Sequence, residues 1–99
     1  MAFFLVTMSH PDGEGWMTHL KAHIDYLEML IDKGTLRASG PLKDTRLRTG
    51  FLILLADTKA DVEAIVAKDP FAIEGLIEEL TIVEWDPLFG AFAQESSRK

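Results

Sequence analysis

From about Glu14 to Lys33-Gly34 the chain holds one uninterrupted helical period, and this long amphipathic segment limits the possible folds more than any other feature. At about 100° per residue, Trp16, Leu20, His23, Leu27 and Leu30 fall within one narrow sector, with Ile24 and Ile31 on its flank. Such a stripe must lie against a second layer, and the rest of the chain offers strands to build it. Ala2–Met8 is a compact run of strand formers, closed by the turn-like Ser9-His10-Pro11-Asp12-Gly13. Gly34, directly after the last apolar positions, is the expected helix stop. Thr35–Ser39 then alternates as a half-buried strand ending at a Gly40-Pro41 turn, and Lys43–Thr49 reads as a polar, basic loop. Phe51–Ala56 is a strand apolar on both faces. Thr58 opens a second helix with Asp61 as its capping box and Val62, Ile65 and Val66 on its inner side, and Leu80–Trp85 is the last strand.

Strand, helix, strand, strand, helix, strand is the split βαβ pattern, so the expected fold is α+β and ferredoxin-like, an antiparallel sheet with both helices on one face. Because Phe3, Phe4, Leu5 and the Phe51–Leu55 run offer apolar side chains to both faces, the second face would otherwise be a large exposed patch, and a patch of that kind usually marks an interface. A homodimer packed sheet against sheet is therefore expected. With 99 residues and no repeat or linker, one domain over residues 1–93 is predicted, followed by a disordered polar tail over 94–99.

A net charge of −6 opposes nucleic acid and anionic membrane surfaces, both of which select basic faces. The absence of cysteine excludes disulfides, thiol nucleophiles and thiolate metal sites. Ala2–Val6 is too short for a signal-peptide core, and no apolar run approaches the roughly 20 residues of a membrane span, so a cytoplasmic protein without membrane or nucleic-acid partners is expected.

His23 stands out because a titratable ring in the middle of an apolar stripe should point inward, either as a buried, hydrogen-bonded core residue or as an acid–base group. Asp69, in Lys68-Asp69-Pro70-Phe71, has an ordinary role available as N-cap of a short helix over Phe71–Gly75, with proline at its first turn. Ser39, with Gly40 beside it, and His19 on the helix rim are candidate substrate contacts, although a strand serine is commonly solvent-facing. His19 and His23 are spaced to meet one metal ion, but no third ligand has diagnostic spacing and no metal is expected. His10 reads as a solvated loop residue, Trp16 and Trp85 as core or pocket wall. Arg37, Lys43, Arg46 and Arg48 form the one basic cluster, a solvated loop or an attractor of acidic substrates.

The string from His23 through Tyr26, Gly34 and Gly40-Pro41-Leu42, followed by Asp69-Pro70-Phe71 and Ile82-Val83-Glu84-Trp85, resembles the YciI-like (YCII-related) family across nearly the whole chain. The resemblance implies a dimer of the dimeric α/β-barrel type and an active-site histidine and aspartate, which map onto His23 and Asp69. Family members often carry arginine three residues before the histidine, where this chain has Leu20. It also extends to dehydrochlorinase- and muconolactone-isomerase-like barrels, a fold type that hosts many chemistries. In such a pair the carboxylate fixes the ring's tautomer and stabilises the imidazolium, making Asp69 the orienter and His23 the base or acid. Two classes of function follow. One is a cofactor-independent enzyme performing isomerisation, dehydrohalogenation or lyase chemistry on a small carbonyl or cyclic molecule. The other is a non-catalytic ligand- or partner-binding dimer in which the pair is a structural link.

Overall fold

The computed structural model describes residues 1–97. The elements run β1 (Ala2–Ser9), α1 (Gly15–Thr18), α2 (Leu20–Asp32), β2 (Leu36–Pro41), β3 (Thr49–Ala56), α3 (Lys59–Ala67), α4 (Pro70–Ile73) and β4 (Glu79–Trp85), with a 3-10 turn at Ala93–Glu95. The four strands form one antiparallel sheet in the order β2-β3-β1-β4. It is an α+β fold, as the alternation of periods requires.

Register explains the two faces. Phe4, Val6 and Met8 of β1 and Leu52, Leu54 and Ala56 of β3 point to the helices and form the core with Leu30, Leu36, Val62 and Val66. The alternate positions pair across the opposite face, Leu5 with Ile53 and Val83, and Phe3 with Leu55 and Trp85. One end of that face is covered by the chain's own C-terminal segment, whose Phe92 packs on Phe3 and Trp85. The middle is left open, with Val83 58% exposed.

Three readings of the sequence are corrected. The long helix is broken at His19, whose backbone (φ −104°, ψ 6°) separates α1 from α2. Gly15 and β-branched Thr18 are weak helix formers, and Gly15 sits so near Leu76 that a Cβ there would lie 3.0 Å from its Cδ2. Tertiary packing thus sets the first turn's direction. Second, β2 continues through Gly40 and Pro41, with Pro41 paired to Gly50 at the end of an edge strand, where proline is tolerated. Third, His10 is buried. In residues 94–97, where a disordered tail is expected, Glu95 binds Arg37 at 2.6 Å, and Ser97 donates its backbone N–H to Asp86 at 3.0 Å. The Ser97 hydroxyl also donates to Asp86, and this bond, with the backbone one, holds the Asp86 carboxyl below the usual carboxylate range. Residues 98 and 99, the rest of that expected tail, lie outside the described residues.

The helix ends obey local rules. Gly34, at φ +77°, follows α2 while its N–H reaches Ile31 O at 2.9 Å and Thr35 N reaches Leu30 O at 2.9 Å, a Schellman closure that needs a left-handed residue. Thr58 caps α3 through its side-chain oxygen, which accepts from Asp61 N at 3.1 Å.

Candidate active site

The short helix α4 organises the site. Its N-cap Asp69 is 1% exposed and accepts the Phe71 N–H at 2.9 Å through Oδ1. His23 Nδ1 lies 2.9 Å from both carboxylate oxygens, so the ordinary capping role and the pairing with His23 coexist on one side chain. An ionised carboxylate only accepts, which places the proton on Nδ1 and leaves Nε2 as the ring's open position. Phe71 stacks on the His23 ring at 4.1 Å and 18° and meets His10 edge-on at 4.6 Å. At the other end of α4, Gly75 (φ +70°) turns the chain so that Leu76 N reaches Phe71 O at 2.7 Å. The Leu76 carbonyl then accepts from His10 Nδ1 at 2.7 Å. Four helical residues and their two caps therefore orient both imidazoles, and both rings keep Nε2 free of these bonds.

Both rings border a cavity of about 550 Å³ between α2 and the sheet. That volume suits a small organic molecule. Leu20, Ile24 and Ile31, expected to face inward with the rest of the stripe, line this cavity and stay partly exposed, whereas Leu30 is in the core with Tyr26 and Leu27 packed against it. Met8, Leu36 and Leu52 line it from the core side, and Ser39 and Gly40 are also among its lining residues. His23 itself retains 13% side-chain exposure and lines the cavity. Tyr26 buttresses the pair from behind: its hydroxyl donates to Ile65 O at 2.6 Å, and burial, with the Asp69 charge adding to it, pushes its ionisation above the usual tyrosine range.

His19 is placed differently from its expected rim position. The helix break turns it toward Glu74 at 3.8 Å and off the cavity wall, so the two helix histidines do not converge. Sequence reasoning missed His10, whose partner Leu76 lies 66 residues away, and named Arg48 only as one of four in a basic cluster; its guanidinium carbon sits 3.6 Å over the Trp16 ring at the cavity wall. A histidine following a strand by one residue was the available signal for the first; the charge cluster marked the second without its aromatic partner.

No functionally curated protein matches the chain. Among solved structures, it is similar to 5-chloro-2-hydroxyhydroquinone dehydrochlorinase from Burkholderia phenoliruptrix in complex with 2,5-dihydroxybenzoquinone, at 27% identity and a TM-score of 0.72, over 84% of this chain and 92% of that one. An uncharacterised NIPSNAP domain protein from Burkholderia xenovorans shares the fold at 20% identity and a TM-score of 0.59, over 93% of this chain and 97% of that one. So does a dimeric ferredoxin-like protein of unknown function from Jannaschia, at 20% identity and a TM-score of 0.55, over 87% and 99% of the two chains. The YCII-related domain model matches residues 1–86, and the chain belongs to the YCII-related domain family.

Proposed function

We propose that this protein is a cofactor-independent enzyme in which His23, oriented by Asp69, moves a proton on a small carbonyl or cyclic organic substrate. The observation that carries this reading is the buried carboxylate holding Nδ1 of a ring that borders a cavity of small-molecule size. Asp69 keeps the ring in one tautomer and offsets the charge that forms on it, while Nε2 accepts or returns the proton. Dehydrohalogenation is the favoured reaction, because the similar dehydrochlorinase acts on a chlorinated hydroxyhydroquinone. In that step Nε2 takes a proton from the substrate, the freed electron pair forms the new double bond, and chloride leaves with the pair of the breaking C–Cl bond. The net loss is HCl, and no oxidant or reductant enters. Isomerisation or another lyase reaction would use the same proton transfer. Ser39, beside Gly40, contributes a wall hydroxyl for orienting a ring oxygen.

The functional unit is proposed to be a homodimer packed through the open sheet face, where Leu5, Ile53 and Val83 form an apolar row. A second reading, a non-catalytic binding module, is favoured by the cap that Asp69 supplies to α4, because this gives the carboxylate a structural task.

Chloride release from 5-chloro-2-hydroxyhydroquinone and related halogenated rings separates the two. The enzyme reading expects His23→Ala to lower turnover by about 10²–10⁴-fold with the fold retained. Equal turnover in wild type and variant, or loss of fold as the sole effect, would favour the binding module.

A further inference from the structure

We propose that Arg48 is the anion-recognition residue of this cavity, and that the cavity takes a planar organic anion, a carboxylate or enolate carried on a small ring. The inference rests on the His23–Asp69 site for the reacting end of the molecule and adds where its charge lies.

Three observations carry it. Arg48 lines the cavity, and its guanidinium carbon lies 3.6 Å over the centre of the Trp16 ring, a van der Waals contact that fixes an otherwise mobile side chain. A guanidinium resting on an aromatic face still directs its N–H donors outward in its own plane, the geometry that grips a carboxylate by two parallel hydrogen bonds. Next, the other arginine lining the cavity turns its guanidinium away from it: Arg37 binds Glu95 at 2.6 Å and lies over Phe3 and Phe92, on the opposite face of the sheet. Arg46 approaches Glu79 at 3.7 Å, while Arg48 has no carboxylate partner among the described residues.

The third observation is polarity along the cavity. Trp16 precedes His23 by seven residues and Glu28 follows it by five, all three on the wall. Glu28 stands about 7.5 Å along α2 on the C-terminal side of His23, whereas Trp16, with Arg48 over it, lies on α1 before the break at His19. A carboxylate or enolate is attracted to Arg48 and repelled by Glu28. The bound molecule would lie with its charge on Arg48 and its reacting atom under His23.

The test uses the full chain with benzoate and its neutral isostere benzamide, following the Trp16 indole N–H and the Arg48 Nε–H by NMR. The expected result is saturable benzoate binding that moves both signals and weakens with added salt, with benzamide binding about tenfold or more weaker. Arg48→Gln should abolish that preference while the His23 imidazole signals stay in place, and Arg48→Lys should restore only part of it. Benzoate and benzamide binding alike, benzoate not saturating, or Arg48→Gln keeping the preference would each overturn the proposal. The catalytic reading fails separately: an anion preference that depends on Arg48 in a protein with no proton-transfer turnover would leave this assignment standing and remove that one.

Discussion

Replacing Asp69 in two ways separates its three hydrogen bonds. Asp69→Ala removes the N-cap acceptor of Phe71 N–H, worth about 1 kcal/mol. It also leaves the Nδ1–H of His23 beneath Phe71 without an acceptor, a further cost of about 1–3 kcal/mol. The expected loss is therefore about 2–4 kcal/mol. Asp69→Asn keeps a side-chain oxygen for Phe71 N–H, and its amide can donate to Nδ1 once the ring changes tautomer, so its cost should stay within about 1 kcal/mol. For a domain of this size each kcal/mol moves Tm by about 4–8 °C, so the alanine variant should melt roughly 8–32 °C below wild type and the asparagine variant close to it. Thermal and urea unfolding, followed by tryptophan fluorescence at one fixed protomer concentration, measures both. Turnover should divide the other way, with Asp69→Asn falling on the order of 10²-fold or more because Nε2 now carries the proton. Equal stability costs for the two variants, or an alanine variant within about 0.5 kcal/mol of wild type, would refute this account of Asp69 as both cap and orienter.

Tyr26 is the single tyrosine, so absorbance reads it alone; it should ionise at higher pH in the folded chain than in urea. Since the unfolded chain then releases that proton first, stability should fall as pH rises from the ordinary tyrosine range through the folded value, and a shift the other way would contradict the burial of its hydroxyl. Val83→Arg should convert a dimer to a monomer with an unchanged circular-dichroism spectrum, as sedimentation would show; an unaltered dimer would place the interface elsewhere. His10→Ala should cost about 1–3 kcal/mol by stranding the Leu76 carbonyl, whereas His10→Asn, which can retain the donor, should recover most of it in urea unfolding.

The parts of the fold legible in the sequence are those set by local rules. Alternation and apolar runs located the strands to within two residues, Gly34 marked the end of α2, and the Asp69-Pro70 pair marked the start of α4. His23 was legible as an inward ring because helical periodicity constrains every residue of the stripe. Its partner was not, since Asp69 is 46 residues away and its local pattern signals only a cap; the family resemblance joined the two. Leu76 packs close to Gly15 at the start of α1, His10 is held by a carbonyl from beyond α4, and the C-terminal turn is held by Arg37 and Asp86. Each is a long-range contact that overrides a polar or helical local pattern.

The central claim is that Asp69 holds His23 with its proton on Nδ1 and its lone pair on Nε2. Long-range ¹H–¹⁵N correlation spectroscopy of the imidazole, with the neutral ring populated, reads this directly. The account predicts the Nδ1–H tautomer in wild type and a change to Nε2–H in Asp69→Asn. A wild-type ring protonated on Nε2, or a tautomer indifferent to Asp69, would contradict it.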